Sequence, residues 1–224
     1  MELNKTIWTG LLLFSNLVLN ISCSSNQNLK EPVASNNSTD IKPESATDVI
    51  CNYSTKENIK SEGLNVKISY PCNWTLKDGD RPHVVQKFSK PTSDQTLVNG
   101  MIIITKIPGE GTPEQIKDLL SPSNLPSYVD AETDKVISAK SFSIDGEIAG
   151  ELIFETSRKT PVGIFFMKSV EYLMFYKNYF IRLQYMAGSQ NESQSGELFL
   201  QNQKLFSALA TGTVITTKWE NENK

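Results

Sequence analysis

The chain has 224 residues, a formal net charge of −3 from 22 basic and 25 acidic side chains, one histidine and three cysteines. This balance supplies no bulk basic field, which excludes nucleic acid from the expected partners. One histidine and so few cysteines cannot furnish a zinc site, so neither a metal nor a cofactor is expected.

Lys5 precedes an apolar run at residues 7–19 (IWTGLLLFSNLVL). The run is shorter than the roughly 20 residues a membrane span needs and suits the core of a secretory signal, assigned to residues 1–22. It leads into Leu19-Asn20-Ile21-Ser22-Cys23, which resembles a bacterial lipobox, with Asn20 at the position usually held by leucine. Cys23 would then be the lipidated first residue of the mature chain. The alternative is an ordinary signal peptide cut near Ser22 or Ser24.

Residues 24–47 (SSNQNLKEPVASNNSTDIKPESAT) hold almost no large apolar side chain. Such a stretch cannot bury enough surface to offset its ordering entropy. Residues 23–48 therefore read as a lipidated cysteine and polar tether, 49–218 as a single globular domain and 219–224 as a polar tail. Setting Cys23 aside leaves Cys51 and Cys72 as an even pair in an exported protein, for which a disulfide is the expectation. A loop of that size is worth on the order of 3 kcal/mol in the chain-entropy model. The alternative is a reactive thiol at one of them.

Residues 64–74 (LNVKISYPCNW) open the domain. Leu64, Val66, Ile68 and Tyr70 alternate with Asn65, Lys67 and Ser69, a half-buried strand that Pro71 should end. Trp74 reads as core; exposed, it would join Arg81 and His83 as a candidate partner-binding patch. A polar turn is expected at residues 77–82, a strand at 83–88, and at 100–107 a strand too apolar for a sheet edge. Thr112-Pro113-Glu114-Gln115 starts a helix reaching about Leu120, with Ile116, Leu119 and Leu120 as its stripe. Residues 121–134 read as a loop. Its Asp130, Glu132 and Asp134 lack the glycine turn and distal glutamate of a calcium loop.

Residues 135–144 and 147–156 flank Asp145-Gly146, a two-residue hairpin turn. A second hairpin pairs 162–176 with 179–187 through Lys177-Asn178. Ile164 to Met167 are apolar at successive positions, so both sheet faces need cover. One cover is a helix at 195–210 with Leu198, Phe199, Leu205, Phe206 and Leu209 at helical spacing. A short strand at 213–217 closes the domain. The expected fold is α+β, an antiparallel sheet of about six or seven strands with helices packed on both faces.

LNVKISYPCNW, the RPHVVQKF strand, the Asp145-Gly146 hairpin, the aromatic hairpin around YLMFYKNYFIRLQY and the closing helix together resemble the PsbP-like group of the Mog/PsbP fold. The likeness spans about Ile50 to Lys218 and implies an α/β/α sandwich around an antiparallel sheet. Members of the group are mostly noncatalytic: accessory subunits of photosystem II, a Ran-binding nuclear protein and many bacterial lipoproteins. None of their partner-binding residues has a counterpart motif in this chain, and fold alone does not fix function.

The expectation is a noncatalytic envelope lipoprotein, held to a membrane by lipid on Cys23 and binding or stabilising a protein partner. The outer membrane facing the periplasm is favoured over secretion. A small-molecule or lipid carrier is one alternative. A hydrolase is another, with His83 as its only available base and no G-x-S-x-G elbow to support it. Glycosylation triplets at Asn36, Asn37, Asn52, Asn73 and Asn191 open a eukaryotic secreted protein as a rival.

Overall fold

The computed structural model describes residues 49–92 and 95–222. The signal segment, Cys23, the tether, Asn36 and Asn37 lie outside the described residues. Strand β1 (Ile50–Ser54) pairs antiparallel with β2 (Lys67–Pro71), Ile50 opposite Pro71. The main sheet has seven strands, all pairs antiparallel: β3 (Thr75–Asp78), β4 (Val84–Ser89), β5 (Thr96–Lys106), β6 (Asp134–Ile144), β7 (Glu147–Thr160), β8 (Gly163–Tyr176) and β9 (Tyr179–Ser189). Their order is β3-β4-β5-β9-β8-β7-β6. Three helices complete the fold: α1 (Pro113–Leu119), α2 (Glu192–Thr211) and α3 (Thr216–Glu222).

Local chemistry sets this order. Asp145 at φ 52° and Gly146 at φ 79° make the left-handed pair that a two-residue hairpin needs, so β6 and β7 pair up to Ile144 opposite Glu147. The Lys177-Asn178 turn, in which Lys177 takes a φ of 50°, joins β8 and β9 and leaves Tyr176 opposite Tyr179. β5 then pairs with β9 along its whole length, which makes it an interior strand, as its apolar sequence requires.

One face of the sheet carries the main core. α2 packs on β8 and β9, burying Phe199, Phe206 and Leu209, while Leu198 and Leu205 sit half-buried at its margin. Phe206 stacks on Tyr185 of β9 with ring centroids 5.3 Å apart. Tyr185 in turn lies across Gly100 of β5, where a Cβ would come within 2.8 Å of its ring. On the other face the segment after α1 supplies cover, with Leu125 against Gly150 of β7. A capping box on Thr112 and Gln115 starts α1 as its sequence predicts. Leu120 and Leu125 are completely buried, and a 3₁₀ turn at Leu125–Tyr128 packs on β6 and β7. The stretch expected to be only a loop thus supplies cover.

Several expectations need correction. β1 and β3 were not anticipated; all four β3 side chains are exposed, so no apolar alternation marks it. β5 begins at Thr96, four residues earlier than its apolar run. The closing strand is reduced to one bridge, Val214 to Lys67, because Ile215 gives its N–H to the Asp145 carboxylate at 2.9 Å instead of to a neighbouring strand. The chain then turns into α3, which runs past residue 218 into the expected polar tail. Asn65, expected to face solvent, is buried. Its N–H meets the Thr217 hydroxyl at 2.8 Å and its amide meets Glu220 at 3.0 Å.

Candidate functional site

Cys51 and Cys72 form the expected disulfide, their Cα atoms 5.0 Å apart. It clips the point where the chain enters the domain to the corner after β2, where the Cys72 N–H also bonds the Val49 carbonyl at 2.8 Å. The reactive-thiol alternative is thereby removed for this oxidised state. Beyond the corner, the Trp74 N–H returns to the Pro71 carbonyl at 2.9 Å, and the Trp74 ring turns into the core, 4 % exposed.

Burial of Trp74 leaves the Arg81 and His83 patch without its aromatic. Both residues lie on the turn into β4. Arg81 accepts the Val84 N–H at 3.2 Å and His83 accepts the Ile104 N–H at 3.0 Å through their carbonyls. The turn is tight because a Cβ on Gly79 would fall 1.8 Å from the Val84 carbonyl oxygen. Arg81 is half-buried and His83 exposed. Beside them Lys87 and Asp80 pair at 2.6 Å, and that hydrogen bond holds the Asp80 carboxyl below the usual carboxylate range. The result is a surface of mixed charge at the end of the sheet where β5 finishes.

A cleft of about 200 Å³ opens at the opposite end, between the start of α2 and β6, β7 and β8. Glu155 stands in it between Lys168 at 3.1 Å and Lys135 at 3.6 Å, and Lys168 also lies over the Phe199 ring at 5.6 Å. The Ser195 hydroxyl, the one buried hydroxyl on α2 there, donates to the Ala187 carbonyl at 3.3 Å. His83, the one histidine of the chain, lies at the other end of the sheet, so no imidazole stands beside the Ser195 hydroxyl. Among the described residues no group of three His, Cys, Asp or Glu is placed to hold a metal. Asp130 and Asp134 instead close their own turn, accepting the backbone N–H groups of Glu132 at 2.9 Å and Asp130 at 3.1 Å.

The sequence reading missed an ion pair inside the sheet. Glu171 of β8, 1 % exposed, takes three bonds from the Arg182 guanidinium of β9, at 2.7, 2.8 and 3.2 Å. Leu173 stands opposite Arg182 and Glu171 opposite Gln184, so the pair is a diagonal on one face. Two opposite charges within otherwise apolar strands, in a hairpin whose register the turn fixes, were the available signal. Tyr128 sits over Phe180 beside this pair, ring centroids 5.5 Å apart, and burial pushes its hydroxyl up to about 12 despite the nearby Arg182 charge.

No protein-family model matches the chain, and no curated protein matches it significantly. Among solved structures, cyanobacterial PsbP (CyanoP) from Synechocystis superposes with a TM-score of 0.50 at 15% sequence identity, over 77% of this chain and 95% of that one. LpqN, described as involved in cell envelope biogenesis of Mycobacterium tuberculosis, matches at a TM-score of 0.43 and 11% identity, over 74% and 90% of the two chains. The fold is PsbP-like, as the corner, hairpins and closing helix imply, and at these identities the likeness is one of fold.

Proposed function

We propose that the chain is a noncatalytic lipoprotein of a bacterial envelope, anchored by lipid on Cys23 and holding a PsbP-like domain that binds or stabilises a protein partner. The observation that carries this reading is the Cys51–Cys72 disulfide at the start of the domain. Such bonds belong to exported proteins, and pairing these two leaves Cys23, within its lipobox-like setting, as the cysteine for acylation. No helix among the described residues is long and apolar enough to cross a membrane, and lipid chains would supply the attachment instead.

The Arg81 and His83 surface is the partner site favoured here, with His83 exposed and Arg81 half-buried at the end of the sheet away from where the chain enters. A carrier role has less support, since the cleft of about 200 Å³ is below the roughly 300–1,000 Å³ usual for ligand pockets. The test is the mass of the protein in a membrane fraction. Diacylglycerol and acyl mass on Cys23 is expected; an unmodified Cys23 in protein recovered free of membrane overturns the anchoring.

A further inference from the structure

The hairpin of β7 and β8 extends beyond both its neighbours. β6 stops pairing at Asp134 opposite Thr156, and β9 stops at Ser189 opposite Phe166, yet β7 and β8 pair on to Thr160 opposite Gly163. Residues 157–164 therefore form a two-stranded ribbon that no third strand pairs, reaching about 13 Å past the sheet; Phe165 at its base is buried near Gly188, and the Val162 carbonyl accepts a bond from the Gln190 side chain at 3.5 Å. Its tip is Pro161-Val162, where a short hairpin turn would ordinarily take Asn-Gly or Asp-Gly. Val162 is 66 % exposed and Ile164 47 % exposed. Arg158 and Lys159 stand on the strand leading to the tip, Lys159 directly opposite Ile164, and neither forms an ion pair among the described residues. From Thr156 to Val170 the chain carries three cations and no acid. Exposed at the apex, Val162 and Ile164 bury little apolar surface within the domain. Apolar tips behind a basic collar match the layers of an anionic bilayer, acyl boundary beneath headgroups.

The ribbon also points from the end of the domain where the chain enters. Val49 precedes β1, whose first residue faces Pro71; four residues on, Thr75 is level with Ser89, Asn99, Met186, Ser169 and Phe154 across the sheet. That row lies on the same side as the tip. Residues 24–48 span at most about 85 Å, enough for a domain held at Cys23 to set its tip on the same membrane.

We propose that residues 158–164 are a membrane-docking tip, Val162 and Ile164 entering the interface of an anionic bilayer and Arg158 and Lys159 engaging its phosphates. The inference deepens the envelope reading above and is tested apart from it, in a full chain with C23S so that acylation plays no part. V162W, and I59W as a control, are made in that chain. Ile59 is 91 % exposed on the turn whose Asn58 side chain bonds the Val85 carbonyl, at the other end of the sheet. Each is mixed with vesicles of brominated phosphatidylcholine, with and without phosphatidylglycerol. Quenching above that of the parent chain is expected for V162W in anionic vesicles only, and for I59W in neither. Adding R158Q and K159Q should weaken binding of the tip about thirtyfold, at roughly tenfold per 1.4 kcal/mol. Equal quenching at the two positions, or quenching unchanged by the charge substitutions, overturns the proposal. So does absence of quenching with a photo-crosslinker at position 162 that captures protein. Failure of the anchoring itself is read separately from the mass of Cys23.

Discussion

Glu171 and Arg182 form a charge pair held largely out of water within the sheet. Glu171 is almost wholly buried and Arg182 22 % exposed at the side chain, so removing the guanidinium strands a carboxylate that water reaches poorly. R182M is expected to cost about 3 kcal/mol, the lower end for a broken buried pair. For a domain of this size that lowers Tm by roughly 6–12 °C. E171M combined with R182M should recover most of the loss, because two packed apolar side chains replace two desolvated charges; a double variant no better than R182M would show that the pair is worth more than its desolvation. Tyr128 gives a second residue-level expectation. Its hydroxyl is raised from an ordinary value of 10.0 to about 12 by burial. Between those values the folded protein keeps a proton that the unfolded chain has lost. The contribution of Tyr128 is therefore fully present below pH 10 and is lost as pH rises toward 12. Y128F keeps the ring against Phe180 and removes the ionisation, so its Tm should fall less steeply from pH 9 to 12 than that of the parent chain, as read by circular dichroism. Tyr172 and Tyr185 are raised in the same direction by burial and set the slope that remains.

Among the elements, the small β1–β2 sheet depends most on a covalent link. Its two strands bury few side chains on their own, and the bond between Cys51 and Cys72 closes a loop with a sequence separation of 21. Replacing both cysteines by serine should cost about 3 kcal/mol, read as a lower Tm, with the reduced parent chain matching the double variant. A loss confined to the β1–β2 segment would appear as early amide exchange there while β5, β8 and β9 stay protected. The elements that could be read in advance were those with a local cause. The Asp145-Gly146 turn, the Thr112 cap and the Phe199–Phe206 stripe each carry their own signal. β1 and β3 carry none: β3 has four exposed side chains and is held only by pairing with β4, which is information from another part of the chain. The last segment misled for a related reason. Its β-branched Thr-Val-Ile-Thr-Thr run favours a strand, but a side chain seventy residues away in sequence takes the Ile215 N–H. Of the candidate site, the disulfide followed from cysteine number and the export expected of the chain. Arg81 and His83 were legible only as exposed polar residues, and the burial of Trp74 beside Gly100 depends on how the sheet closes.

At the scale of the whole molecule the two ends of the sheet differ in character. One end holds the disulfide corner, the start of α2 and the basic, apolar-tipped ribbon of β7 and β8. The other holds the Asp145 turn with α3, the Lys177-Asn178 turn and the Arg81–His83 surface. Under the anchoring proposed above, the first end would face the membrane and the second would face outward, where the proposed protein partner would be met. Electrostatics fit the division, since the outer end mixes Asp80, Lys87 and Arg81 while the ribbon carries only positive charge. Polar and charged surfaces of mixed sign suit a specific protein contact, in which complementary charges set orientation more than strength. A photo-crosslinking side chain at position 83, expressed in cells with Cys23 intact, is therefore expected to yield one reproducible envelope protein by mass spectrometry of the membrane fraction. R81E should reduce that product severalfold without changing Tm, because Arg81 is part of a surface turn and no buried charge depends on it. If position 83 yields no protein while the folded domain remains in the membrane fraction, the outward end is not the partner site and the binding role loses its place on the molecule.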